Sequence, residues 1–357
     1  MIPIEYKKIP DEYLEFIEEF KKKINDWWEK YKNDNSSSNI DKNTKFFFRY
    51  ILKKENLKDF LLTEADKLPN LIECMEKHFP ELKKIRKKGT SKGGDSQLYN
   101  CLKKVFCDLG YKNLPINNLK ISFGIRACPY CNAEALHSQM ELGEKDIDIE
   151  LDHFYPKSRI PYLALCLYNL VPCGHYCNGQ YCKHDKDSYE LKLINPFTLE
   201  DVDGMKFELD VKDAGCVDYD GFPSSCKIIV KENREEFKAN LEVFHIKHRY
   251  NHIEAREQAR DVWFTFQKLC KHEYEEEEEK RVEFYNDLLK KDDLDIKGYI
   301  DREFKIDCSH YNKIYSKMSL DFLKELIRTR IKEDKLSNKN TIELLENFLL
   351  LRLLTLI

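Results

Sequence analysis

Between Cys128 and Asn178 this sequence gathers side chains that hold metals and move protons. Cys128-Pro-Tyr-Cys131 is a CxxC pair, and Cys173 and Cys177 form a second pair spaced CxxxC. Two cysteine pairs about forty residues apart can close a tetrahedral zinc site, with Cys182 and His184 close behind as spare ligands. Cys128, Cys131 and Cys177 are expected first and Cys173 fourth. Which four close the site stays open on sequence alone, and unmetallated cysteines are the plain alternative. A CxxC with no thioredoxin-like pattern around it argues against redox chemistry. A structural zinc would stabilise a module with too little core of its own.

Inside that frame lie Asp152-His153, then Asn169, then Asn178. The run IDIELDHF alternates apolar and polar residues, so Asp152 and His153 should end a strand. Neighbours on a strand face opposite ways, so Asp152 can face a metal while His153 faces something else. Oxygens from Asp152 and Asn178 would make a sparse, hard site of the kind that suits Mg²⁺, with waters and substrate phosphate completing the shell. His153 titrates near neutrality and can take a proton from water. Asn169 does no acid–base work, but its amide can hold a loop or the imidazole in place. Taken singly, each residue has a plain explanation: a lone histidine in a core, a lone asparagine in a turn. Lys157 and Arg159 follow the histidine, and Lys183 and Lys186 follow Asn178. These four are candidate phosphate contacts, or else ordinary surface cations.

The rest of the chain must position these groups. It has 357 residues, 42% hydrophobic and 35% charged, enough for about two domains with buried cores. The 12 glycines leave few tight turns, which favours long helices over a many-stranded sandwich. A net charge of −4 excludes a uniformly basic nucleic-acid-coating protein, so contact with phosphate must come from local patches. No apolar run reaches the roughly 18 to 20 residues that span a bilayer. The start, MIPIEYKKIPDEYLEF, has no signal-peptide core, and a cytoplasmic protein is expected. In that compartment the 13 cysteines should be thiols. The scattered ones (Cys74, Cys101, Cys107, Cys166, Cys216, Cys226, Cys270 and Cys308) read as small buried hydrophobes.

Residues 1–120 form an expected helical domain. Helices are read at DEYLEFIEEFKKKINDWWEKY, Thr44 to Lys54, Asn56 to Leu68 and Leu71 to Lys88, with a polar break from Asn33 to Asn43. The basic loop KKIRKKGTSKGG follows, solvated or touching phosphate. Residues 121–200 hold the site, and CNGQYCKHDKD could begin a short helix there. Residues 201–357 open with KFELD and KIIV, two strands of a hairpin around a turn-rich link. One or two long helices should follow from Glu232, then the acidic run EYEEEEEK and the apolar NTIELLENFLLLRLLTLI, a buried terminal helix or a docking surface. The class is α+β: a mostly helical chain around a zinc-stabilised module, with a small β-hairpin region after it.

CPYC, LDHFYPKS, YNLVPC, the CN pair and Lys183, in this order, resemble the HNH (ββα-metal) endonuclease family. The resemblance implies metal-dependent phosphodiester hydrolysis of nucleic acid, double-stranded DNA first. It implies Asp152 and Asn178 as ligands of Mg²⁺ or Mn²⁺, His153 as general base and Asn169 as the orienting residue. The last residue of the triad, often histidine in that family, is Asn178 here, and CxxxC replaces the usual CxxC. INPF at Ile194–Phe197 and HRYNH at His248–His252 extend the likeness to the HNH nucleases that accompany ATPases in bacterial anti-phage systems of the Septu and retron kind. An ATPase partner is implied with them. The alternatives are a stand-alone restriction- or homing-type HNH nuclease, an RNA or tRNA nuclease, and a non-catalytic zinc-stabilised nucleic-acid-binding module.

Overall fold

A computed structural model describes residues 1–4, 9–35, 39–88, 96–139, 146–272, 294–306 and 313–336, with 283, 286 and 289 as single points between. Cys308, the acidic run 273–280, the terminal apolar segment 341–357 and the glycine end of the basic loop lie outside the described residues. The chain is α+β and mostly helical. It divides into two compact units, one of residues 2–125 and 136–200, the other of Met1, 126–135 and 201–357.

The first unit begins with α1 (Asp11–Asp34), whose Tyr13, Phe16, Ile17, Phe20, Ile24 and Trp28 recur at helical spacing on its buried face. It packs on α2 (Lys42–Ile51), where Trp28 stacks on Phe48 at 4.8 Å. Asp41 caps α2 by accepting from the Thr44 amide at 2.7 Å. Helix α3 (Asn56–Leu61) stops short of the expected Leu68, where α4 (Leu68–His78) begins with Pro69 in its first turn. The single helix expected over 71–88 is two, α4 and α5 (Pro80–Lys88). The residue before a proline is pushed off the helical region, and Phe79 sits at φ −129, ψ 77. Helix α6 (Gln97–Leu102) continues as a π-helical stretch, Lys103–Gly110, and α7 (Ile116–Ser122) ends the helical part. At Gly110 a side chain would collide with Leu165 and Phe20, so this glycine lets α1 and the segment after the Asp-His strand close on each other. The Tyr13 hydroxyl donates to the Leu165 carbonyl in the same place.

The strands of this unit are short. β1 (His137–Gln139) pairs with β2 (Asp146–Asp148), and β3 (Glu150–His153) pairs antiparallel with β4 (Leu170–Cys173), Asp152 opposite Val171. A one-turn helix, α8 (His175–Asn178), follows directly. It ends at Asn178 rather than starting there, as Gly179 leaves the helical region.

In the second unit β5 (Met205–Val211) and β6 (Cys226–Glu232) form the expected antiparallel pair, with α9 (Phe222–Ser225) in the link between them. The helical region after Glu232 is three pieces, α10 (Lys238–Val243), α11 (Ile246–Arg249) and α12 (Ile253–His272). His245 adopts φ 50 between the first two, which a continuous helix cannot contain. α13 (Leu294–Phe304) and α14 (Ser316–Leu336) complete the unit. Among the described residues no helix is long and apolar enough to cross a membrane. Of the scattered cysteines, Cys101, Cys166, Cys216, Cys226 and Cys270 are buried as expected; Cys107 is half-buried, and Cys74 is exposed on α4.

Candidate active site and metal centre

The pleat of β3 sends Glu150 and Asp152 to one face and Leu151 and His153 to the other. Asp152 is buried, and its carboxylate accepts from the Lys183 ammonium at 2.9 Å. Lys183 also donates to the His153 carbonyl at 2.6 Å and is sealed from solvent. Expected as a phosphate contact, Lys183 is instead an internal cation. After α8 the chain turns back, the Lys183 amide donates to the Cys177 carbonyl at 3.2 Å, and the side chain drops beneath β3.

His153 points the other way. Its Nε2 lies 3.0 Å from the Ala164 carbonyl, which can only accept, so Nε2 carries the proton and Nδ1 the lone pair. Burial, and then the charge of Lys157, push its pKa down to about 3, so the ring is neutral at physiological pH. The Tyr111 ring lies against the imidazole at 4.8 Å between centroids. Burial raises the Tyr111 pKa, and the charges of Asp152 and Glu150 raise it further.

Asn169, just before β4, clamps the segment that follows His153. Its Oδ1 accepts from the Tyr155 amide at 2.7 Å, and its Nδ2 donates to Tyr155 O at 3.1 Å and Leu163 O at 2.9 Å. Asn178 donates through Nδ2 to Glu150 at 2.5 Å, and His175 Nδ1 meets the other Glu150 oxygen at 2.6 Å. Glu150 therefore ties β3 to α8. Sequence reading passed over Glu150 and His175, although Glu150 stands two positions before Asp152 and so shares its face. It passed over Tyr111 too, because nothing local marks a tyrosine that reaches the site from the helical region.

The predicted cations differ in setting. Lys157 is half-buried, its ammonium 3.8 Å above the Tyr111 ring. Arg159 donates to Asp185 O at 2.7 Å and Arg86 O at 2.9 Å. Lys186 is half-buried one turn past Lys183. Arg86 itself is buried, donating to Glu76 at 2.5 Å and Asp187 at 2.6 Å, which fastens α4 and α5 to the segment after Lys183.

The CxxC forms a tight turn in the second unit. Ala127 and Ala135 bridge, Cys128 N donates to Glu134 O at 2.9 Å, and Asn132 N donates to Cys128 O at 2.7 Å. Asn132 takes φ 51, a left-handed conformation that asparagine tolerates. The HRYN residues brace this turn. Arg249 Nη1 donates to Cys131 Sγ at 3.0 Å and pairs with Glu134 at 3.4 Å, and the Tyr250 hydroxyl donates to Cys131 O at 2.7 Å. Asn251 spans the Ile228 amide and carbonyl. Donors aimed at a cysteine sulfur favour its thiolate form, which is the metal-binding form. Cys128, Cys131, Glu134 and Cys177 could together hold a metal ion. Three thiols and a carboxylate suit zinc. Cys173, the expected fourth ligand, is buried but stands outside that group. Glu134, three residues past Cys131, was legible only as a CxxCxxE spacing.

No protein-family profile, no curated protein and no solved structure matches this chain.

Proposed function

We propose that this chain is a metal-dependent endonuclease of the HNH kind that hydrolyses phosphodiesters of double-stranded DNA. One observation carries the reading: β3, β4 and α8 follow one another with Asp152-His153 ending the first strand, Asn169 clamping the link and Asn178 closing the helix. The neutral His153, with its proton fixed on Nε2, offers Nδ1 as the atom that takes a proton from water. The donor chemistry suits a hard divalent cation. Asn178 uses its NH₂ on Glu150 and so has its amide oxygen to offer, beside the carboxylates of β3. Mg²⁺ or Mn²⁺ would be held by Asp152 and Asn178 and would neutralise charge on the scissile phosphate. Structural Zn²⁺ would be held at the cysteine group. Lys157, Arg159 and Lys186 are the candidate phosphate contacts left after Lys183 is withdrawn to the interior. On the resemblance of INPF and HRYN, the nuclease is the cytoplasmic effector of an anti-phage system, recruited by an ATPase.

The test is cleavage of plasmid DNA and total RNA with Mg²⁺ or Mn²⁺, against chelator, beside His153→Ala. Metal-dependent cutting of DNA that the variant loses supports the reading; cutting that survives in His153→Ala refutes this site. A second reading has its own observation. Lys183 already neutralises Asp152 at 2.9 Å, as befits a zinc-stabilised binding module without catalysis. Duplex binding with no metal-dependent cutting, even with an ATPase partner present, selects that one.

A further inference from the structure

Three buried or half-buried cations of the first unit near β3 have partners. Lys183 has Asp152, Arg86 has Glu76 and Asp187, and Arg159 has two carbonyls. Lys157 is half-buried, yet among the described residues no carboxylate pairs with it within 4.0 Å. Its ammonium rests on the Tyr111 ring at 3.8 Å, and that ring lies 4.8 Å from the His153 ring. The other titratable group near it is Cys107, whose thiol burial pushes up to about 11 and which is therefore uncharged at neutral pH. Desolvation lowers the Lys157 pKa, as expected for a cation among neutral groups. A cation stripped of part of its water and given no counter-charge carries a free-energy cost that an anion would remove.

We propose that Lys157, positioned by Tyr111, forms an anion subsite beside His153 that takes a non-bridging oxygen of a phosphate ester. With the endonuclease reading, on which the identity of the ligand rests, that ester is the scissile phosphodiester of duplex DNA. Lysine suits phosphate as a compact point charge. Tyr111 is the positioning residue: one ring face holds the ammonium, and the ring packs on the imidazole. The sequence alone gave Lys157 the looser role of a backbone contact; the stack places it at the reacting group.

The test uses the full chain without added Mg²⁺. Inorganic phosphate is titrated while the ring NMR signals of Tyr111 and His153 are followed, with chloride at equal ionic strength as control. Saturable shifts are expected in the wild type and in Lys157→Arg, weakened in Tyr111→Leu and lost in Lys157→Gln. Phosphate that moves the rings no more than chloride does, or as much in Lys157→Gln as in the wild type, overturns the subsite. In a second arm, duplex DNA binding is measured against salt, and the slope should fall by about 1 in Lys157→Gln, uniformly across sequences. An unchanged slope counts against the subsite. A protein that shows the phosphate shifts but cuts neither DNA nor RNA keeps the subsite and loses the endonuclease. One that cuts DNA without the shifts keeps the endonuclease and loses the subsite.

Discussion

His153 carries a pH signature that can be read without substrate. Its ring is buried, and its folded pKa lies at about 3, against an ordinary 6.5 that the unfolded chain restores. As pH falls, the unfolded chain binds this proton first. The group's contribution to stability is therefore complete above about pH 6.5 and is lost as pH drops from there toward 3. The limiting slope is about 1.4 kcal/mol per pH unit, so between about pH 7 and about pH 5 this one imidazole withdraws about 2 kcal/mol. Urea unfolding of the wild type and of His153→Gln at both pH values measures it. Glutamine keeps an N–H that can reach the Ala164 carbonyl but does not titrate. The wild type should lose about 2 kcal/mol more than the variant on acidification. All other titrating groups are common to the two proteins. Equal losses, with unchanged denaturant slopes, would mean that His153 is not held neutral, and the assignment of Nδ1 as a ready base would fall with it.

Asn169→Ala should lower stability by about 2–5 kcal/mol, since Tyr155 N, Tyr155 O and Leu163 O lose a buried partner; a urea midpoint within error of wild type would show that the segment holds itself. Arg86→Met should cost about 3–5 kcal/mol by leaving Glu76 and Asp187 without their cation. Arg86→Met with Glu76→Gln should recover part of that loss, and strict additivity of the two changes would refute the pairing. The purified protein should hold about one zinc by atomic absorption. Glu134→Ala should lose it to a chelator faster than the wild type, while Cys173→Ser should not; the reverse order would restore Cys173 as the fourth ligand.

What could be read in the sequence was what local pattern controls. The alternation of IDIELDHF placed Asp152 and His153 at a strand end, and β3 runs from Glu150 to His153. KFELD and KIIV fall within β5 and β6, which pair in register. Helix ends were less legible, and for local reasons as well. Pro80 divides one expected helix, and the left-handed His245 divides another. The setting of charges was illegible for a different reason. Lys183 lies in CKHDKD and Arg86 in KKIRKK, stretches that look solvated from end to end, and yet both side chains are buried. What buries a charge is a partner brought from afar: Asp152 for Lys183, Glu76 and Asp187 for Arg86. Composition and periodicity carry no trace of such a pairing.

Those two buried cations bear on the chemistry of the site. Lys183 locks the Asp152 carboxylate and the His153 carbonyl together beneath β3. Arg86 holds the segment 187–190 to α4 and α5, and its own carbonyl receives Arg159, from the segment after His153. The residues that follow the candidate base are thus fixed by Asn169 from one side and by an arginine chain from the other. A base that must meet water and phosphate within tenths of an ångström gains from such rigidity. Beside this scaffold Lys157 is a half-buried cation with no acidic partner within 4.0 Å among the described residues, and its charge also depresses the His153 pKa. A phosphate oxygen bound there would cancel that charge and make the imidazole a stronger base at the moment substrate arrives. Anion binding and base strength are then one linked property of the Lys157–Tyr111–His153 stack.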